Sequence, residues 1–339
     1  MHSPEYVKTS LAAAMTLGLK DGSFFRDAHL RALNLLLTYS EGCAANCAYC
    51  GLSRSRRQED TFIRVAWPVY AVEEIVRRSL PLRDQLQRVC VSMVTHPRAL
   101  ADLCTIIAVV RGRTPFPVSA LVTPTGLDAK QSFAQIRAAG ADKVGIAVDA
   151  SSQPLFELYR GAGVGGPHRW PDYWAAVEEA VRVFGRTNVG IHLIVGLGES
   201  EYEAVATIQK AHSLGAATHL FSFFPEKGTS LDGRGQPPLG GYRRVQLARY
   251  LINGGLSALE RMAFNSAGQV VGFGNDGLDL DKIIAGGEPF RTSGCTGADG
   301  EVACNRPYGN ERPSQPLRNF PFAPEPEDIK DIRAQIIQY

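Results

Sequence analysis

Leu33-Asn-Leu-Leu-Leu-Thr38-Tyr-Ser-Glu-Gly-Cys43-Ala-Ala-Asn-Cys47-Ala-Tyr49-Cys50 opens on an apolar run and closes on three cysteines spaced C-x3-C-x2-C. The run reads as a strand, so the cysteines fall in the loop that follows it. An Fe4S4 cube has four irons, and three local thiolates leave one open to bind and activate a small molecule. C-x2-C pairs also build zinc sites, but these usually need a second nearby pair, and the next cysteine, Cys90, is forty residues on.

Apolar runs alternate with amphipathic segments from about 33 to 285. Leu33–Thr38, Arg88–Val94, Pro117–Val122, Lys143–Val148, Val189–Val195 and His219–Phe224 read as strands, with Met262–Asn265 a weaker candidate. Helical patterns lie between them, over Ala71–Ser79, Leu127–Ala139, Pro171–Phe184, Ser200–Leu214 and Arg243–Gly254. This order predicts an α/β fold, a (β/α) barrel, complete or partial. Active sites of such barrels sit at the C-terminal ends of the strands, where the cysteine loop falls. Residues 1–32 read as an N-terminal helical extension interrupted at Gly22, and 33–285 as the barrel. Residues 286–339, rich in Gly, Pro, Arg and Asn, read as an irregular C-terminal cap over the barrel mouth, ending in a helix near Pro326–Gln338.

The 339 residues are 45% hydrophobic and 21% charged, with a net charge of +2. That composition suits a soluble globular protein and gives no reason to expect a nucleic-acid surface. Apolar stretches are too short and broken to span a bilayer, and Met1-His-Ser-Pro-Glu lacks the basic start of a signal peptide. Seven cysteines, clustered and odd in number, fit metal ligation in a reducing cytoplasm better than a disulfide framework.

The cysteine motif, with Tyr49 just before its last member, resembles that of the radical S-adenosylmethionine (radical SAM) superfamily. The resemblance implies a [4Fe-4S] cluster on Cys43, Cys47 and Cys50, SAM chelating the open iron, reductive cleavage to a 5'-deoxyadenosyl radical, and Tyr49 beside the cluster near adenine. Read without it, Tyr49 is a loop aromatic over the core. Val195-Gly196-Leu-Gly198-Glu199 follows a strand and opens a helix, where glycines let backbone approach a ligand. It resembles the SAM-lining segment of biotin synthase and its relatives, or is a plain turn. By the same likeness Asp149, at a strand end, implies a ribose contact; it also suits a helix N-cap. Arg169 implies a contact to the SAM carboxylate or substrate, against a solvated surface role.

Cys90 matches a biotin-synthase position that helps hold an auxiliary cluster, or is a buried hydrophobe. The other auxiliary ligands of that family are absent; Cys295 and Cys304, in a polar tail, are candidates to replace them. His192 shares a strand face with Gly190, pointing to a ligand or substrate contact or to a core histidine. His96 ends the second strand, its role open. Phe221–Ser230 ends another strand as a cofactor contact or an ordinary loop, and Cys104 reads as core.

The head motif and the tail Thr-Ser-Gly-Cys295…Cys304-Asn-Arg-Pro-Tyr-Gly-Asn-Glu resemble the second component of the two-protein (split) lipoyl synthases. This implies sulfur insertion into a protein-bound octanoyl chain, with an auxiliary Fe-S cluster as sulfur donor. The implied partners are an octanoylated lipoyl domain or glycine-cleavage H-type protein, a second radical SAM protein, and an electron donor such as ferredoxin or flavodoxin. Two rivals remain: a single-cluster mutase or lyase of the methylornithine-synthase kind, and a noncatalytic iron–sulfur partner subunit.

Overall fold

The computed structural model describes the chain apart from residues 57–60, 63–64, 275–276 and 307–315. Its centre is an eight-stranded sheet. In chain order the strands are β1 (Tyr6–Thr9), β2 (Ala32–Leu37), β3 (Val69–Ala71), β4 (Arg88–Ser92), β5 (Val118–Val122), β6 (Ala141–Asp149), β7 (Val189–Val195) and β8 (Ala217–Ser222). Their spatial order is β8-β7-β6-β5-β4-β2-β1-β3. The six from β2 to β8 that neighbour one another through β4, β5, β6 and β7 are parallel, whereas β1 lies antiparallel between β2 and β3. This is the open form of the expected barrel.

Every residue of β2, β4 and β5 is buried, as suits parallel strands covered on both faces. The covering helices are α1 (Leu11–Thr16), α2 (Val72–Ser79), α3 (Ala99–Arg113), α4 (Ala129–Ala138), α5 (Gln153–Tyr159), α6 (Trp170–Phe184), α7 (Glu201–Leu214), α8 (Leu239–Asn253), α9 (Leu280–Gly286) and α10 (Pro326–Ile336). Local chemistry sets their ends. In α7, Ser200 and Glu203 form a reciprocal capping box, and Gly215 ends the helix at φ +100°, a conformation costly for any residue with a Cβ. Among the described residues no helix is long and apolar enough to cross a membrane.

Two expectations need correction. Residues 1–32 are not a helical extension: Tyr6–Thr9 is a strand, and α1 has only six residues. The outer edge of β2 is the cause, since it offers unpaired backbone groups, and β1 takes them with Val7 and Thr9 turned inward. The tail segment carrying Cys295 does not cover the mouth either. Arg88, the first residue of β4, donates to the Thr296 carbonyl (2.6 Å), and Arg31, just before β2, to the Val302 carbonyl (3.2 Å). This part of the tail therefore closes the floor of the barrel, at the N-terminal ends of the strands. Met262–Asn265 contributes Ala263–Phe264 to a separate hairpin with Val270–Gly272.

Candidate active site

The loop after β2 is held from several sides. Ala44 N–H donates to the Thr95 carbonyl beyond β4 (2.8 Å), and Ala48 N–H to the Tyr159 carbonyl at the end of α5 (2.8 Å). Buried Arg56 pairs with buried Glu226 (2.9 Å) and donates to the carbonyls of Gly51 and Lys227, tying the loop to the segment after β8. The Phe221–Ser230 segment thus braces the cysteine loop. So fixed, Cys43, Cys47 and Cys50 line one cavity of about 130 Å³ at the barrel mouth. Its walls include Leu36, Met93, Leu121 and Val122. Burial pushes the Cys47 and Cys50 thiols up, with Arg160 partly opposing this at Cys47. Free thiolates are disfavoured there, whereas metal ligation removes the thiol proton outright.

Tyr49 and Asp149 meet in this cavity: the Tyr49 hydroxyl donates to Asp149 Oδ2 (2.8 Å). Asp149 ends β6 beside a register shift and has φ +63°, which turns the chain sharply at the mouth. The sequence reading missed its second partner, Arg160, whose Nη1 lies 3.2 Å from the same oxygen. The Arg160 guanidinium also donates to the carbonyls of Ala147 and Val148 and to Tyr173 Oη, while its Nε has no partner. The available signal was an arginine in the connection after β6, at the mouth side of the sheet. His168 lines the same cavity and contacts Thr125 Oγ1 and Tyr173 Oη through Nδ1. Burial, with nearby Arg160, pushes it down to about 2, so the imidazole is neutral.

Other expected residues lie elsewhere. Arg169 is 74% exposed and 4.0 Å from Asp172, because it caps α6 from outside and its side chain leaves the barrel. Gly196, Gly198 and Glu199 line a separate cleft of about 610 Å³ with Arg234, Tyr242 and Tyr339, larger than the mouth cavity but without a cysteine. Glu199 folds back to accept from the N–H groups of Gly196 (2.5 Å) and Leu197 (3.0 Å). Its carboxylate serves its own loop, and burial raises it from the usual range against those hydrogen bonds. His96 stacks on Tyr39 (ring centroids 3.7 Å apart), and Cys104 packs against the core.

The remaining three cysteines converge deep in the barrel. Cys90 on β4 and Cys295 and Cys304 from the tail line one narrow cavity of about 10 Å³ with His192, His219 and Arg306. A hairpin-like bridge between Thr296 and Val302 brings the two tail cysteines together, and Cys304 N–H donates to the Cys295 carbonyl (3.1 Å). Gly294 is required there, since a Cβ would stand 2.0 Å from the Cys304 carbonyl oxygen. The Cys304 thiol donates to Asn34 Oδ1 (3.8 Å), and its interaction with Cys90 lowers Cys90 and raises Cys304; burial pushes Cys295 up to about 11. Three buried polar atoms without partners surround this region: Asn34 Nδ2, Ser119 Oγ and His219 Nδ1. Asn34 and Ser119 flank Cys90 in register on the neighbouring strands. Among the described residues no three His, Cys, Asp or Glu side chains close on a point suited to a single metal ion, at either site. A four-iron cube holds its thiolates farther apart than one ion does.

Residues 37–211, more than half of the chain, match the radical SAM superfamily, and the chain belongs to it. It is an enzyme of the radical SAM class, and its mouth cysteines fit the [4Fe-4S] cluster that works with SAM in that class. Among solved structures the fold is similar to HydG, a maturase of the [FeFe]-hydrogenase, at TM-score 0.51 and 15% identity, over 71% of this chain and 53% of HydG. TsrM, a radical S-adenosylmethionine methyltransferase from Kitasatospora setae with cobalamin and [4Fe-4S] cluster bound, aligns at TM-score 0.41 and 14% identity, over 73% of this chain and 46% of TsrM. The chain thus spans about half the length of each. No curated protein matches it in sequence.

Proposed function

We propose that this chain is a radical SAM sulfurtransferase that inserts sulfur into an octanoyl chain carried on a protein lysine, as in lipoyl cofactor synthesis. The observation behind this reading is a second cysteine triad, Cys90, Cys295 and Cys304, below the first and ringed by unpartnered polar atoms. Unsatisfied buried donors and acceptors cost free energy unless something fills the site. An auxiliary iron–sulfur cluster on these thiols is the source of sulfur in this reading.

When bound, the mouth cluster and SAM supply a radical able to abstract hydrogen from an unactivated carbon. The chain's own residues hold the cofactors and shelter the reaction. Cys43, Cys47 and Cys50 would ligate the first cluster, while Tyr49, Asp149 and Arg160 would form the polar wall for SAM, with Asp149 as the ribose contact. Leu36, Met93, Leu121 and Val122 wall the cavity with carbon, the surface an acyl chain needs and one that keeps water from a radical. Leu121 and Arg306 line both cavities, so the path between the triads runs past them. An octanoylated lipoyl domain or H-type protein, a second radical SAM protein and a ferredoxin or flavodoxin are the proposed partners, in the cytoplasm.

The narrowness of the second cavity, about 10 Å³, room for about one water, favours a second reading. In it the enzyme carries one cluster, as a mutase or lyase, and the lower thiols are packed core. Under the first reading Cys90, Cys295 and Cys304 would hold the auxiliary cluster, which needs more room than this cavity offers. Iron decides between them after anaerobic reconstitution: about eight per chain for the sulfur inserter and about four for the single-cluster enzyme. The substrate is tested with an octanoyl-lysyl peptide plus the partner protein. A SAM-dependent mass gain of about one or two sulfurs is expected. Ready SAM cleavage with no change in any octanoyl substrate rejects the assignment.

A further inference from the structure

The lower triad provides three protein ligands, and the wall facing them is made of imidazole. His192 on β7 and His219 on β8 are in register on adjacent parallel strands, with ring centroids 6.1 Å apart and planes at 76°. Both side chains line the cavity that Cys90, Cys295 and Cys304 share. Each ring lies over a glycine of the preceding strand. A Cβ on Gly145 would stand 3.6 Å from His192 Nε2, and a Cβ on Gly190 would stand 2.5 Å from His219 Nε2. The missing side chain at 190 is therefore space that the His219 imidazole occupies, whereas at 145 the nearest neighbour is Leu121 Cδ1 (3.0 Å) and His192 Nε2 sits at ordinary contact distance.

The two rings differ in where their nitrogens lead. His219 Nε2 is turned to the Gly190 backbone, and its Nδ1 is buried without a partner. His192 rests against the Phe221 ring (4.8 Å between centroids), and its Nε2 reaches across β6 at Gly145, toward the strands that carry Ser119 and Cys90. Among the described residues neither ring nitrogen of His192 makes a hydrogen bond to the protein. A free imidazole nitrogen directed over a glycine into a cavity of three thiols has the geometry and chemistry of a metal ligand.

We infer that His192, through Nε2, is the fourth protein ligand of the auxiliary cluster, giving a centre of three cysteines and one histidine. This rests on the reading above that such a cluster exists. His219 stands behind it and fixes the ring's approach. Histidine in place of cysteine raises the potential of an iron–sulfur centre, so the lower cluster accepts an electron more readily than it would with four thiolates.

The test uses the full chain with Cys43, Cys47 and Cys50 changed to Ala, so that only the lower site is filled, and with histidine labelled with ¹⁵N. About four irons per chain are expected, together with a strong nitrogen coupling in pulsed EPR of the reduced cluster. H192A should abolish that coupling and H219A should keep it. H192C should retain the iron, lose the coupling and lower the reduction potential, which guards against reading misfolding as lost ligation. A full iron count with no nitrogen coupling, or with coupling that survives H192A, overturns the histidine assignment and leaves the cluster standing. Absence of iron from the correctly folded triple variant overturns the auxiliary cluster and, with it, this inference.

Discussion

The two cysteine triads of this barrel are built in opposite ways. The upper one comes from eight consecutive residues in a single loop, pinned to the chain beyond β4, to α5 and to the segment after β8. The lower one gathers a strand cysteine and two tail cysteines more than two hundred positions away. Local closure costs little chain entropy, so the upper triad is set once the loop folds, whereas the lower one forms only when the tail docks on the floor. The contrast makes the upper site independent of the tail and the lower site dependent on where the tail docks.

The largest effect should come from the upper triad. Replacing Cys43, Cys47 and Cys50 with Ala is expected to abolish dithionite-dependent formation of 5'-deoxyadenosine and to remove about one cluster's iron. Substantial product from that variant would break the assignment of the mouth as the SAM-cleaving site. The next effect separates the triads. Changing Cys295 and Cys304 to Ala is expected to lower iron by about four per chain and to stop sulfur transfer, with reductive SAM cleavage largely intact. Unchanged iron would make the lower triad ordinary packing and collapse the contrast.

The same contrast explains what was legible. The parallel strands could be read because burial on both faces leaves continuous apolar runs, and the upper triad because its spacing lies within one loop. Tyr49 and Asp149 were found as single positions, although nothing local shows that their side chains meet across a hundred residues. The short strand Tyr6–Thr9 was hidden because its partner, the free edge of β2, exists only in the assembled sheet. The meeting of Cys90 with Cys295 and Cys304 was anticipated by family likeness, but their place on the floor depends on Arg88 and Arg31 reaching the tail's carbonyls, and no periodicity encodes that. Glu199 misled because a glycine-flanked carboxylate after a strand reads equally well as a ligand contact and as a brace for its own turn.

A third prediction probes how rigid the upper site is. Arg160 is 4% exposed and is a charged partner of Asp149. Removing one member of a buried pair strands the other, at a cost of about 3 kcal/mol. Arg160→Met should lower the denaturant midpoint accordingly, and Arg160→Met with Asp149→Asn should recover part of the loss. Equal losses in the two variants would show that the pair does not organise the mouth.

His168 offers a smaller, pH-dependent effect at the same site. Its folded value, about 2, lies below the ordinary 6.5 of the unfolded chain, so the unfolded state binds the extra proton between these values. Its neutral form supports full stability above about pH 6.5, and that support is lost progressively as the pH falls below it, by up to about 1.4 kcal/mol per pH unit. His168→Gln should flatten the acid limb of a stability–pH curve measured by urea unfolding. An unchanged slope would show that the imidazole is not buried in its neutral form.

The smallest effect is expected at Arg169, and it sharpens the comparison because two arginines of one segment have opposite settings. Arg160 reaches inward between Tyr173 and Asp149, and its charge is held by carbonyls and a carboxylate. Arg169, nine residues later, extends into solvent, and its contact with Asp172 is a long exposed pair of little energetic weight. If the electrostatics of the SAM site come from within the barrel, Arg169→Ala should leave SAM affinity and the rate of reductive cleavage within about twofold, and stability within about 0.5 kcal/mol. Titration of SAM into the reconstituted enzyme, followed by a single-turnover cleavage assay, measures both. A tenfold loss of SAM affinity with normal stability would mean that Arg169 swings over the mouth when the cofactor binds, and that the polar wall is completed from outside the barrel as well as from Arg160 within.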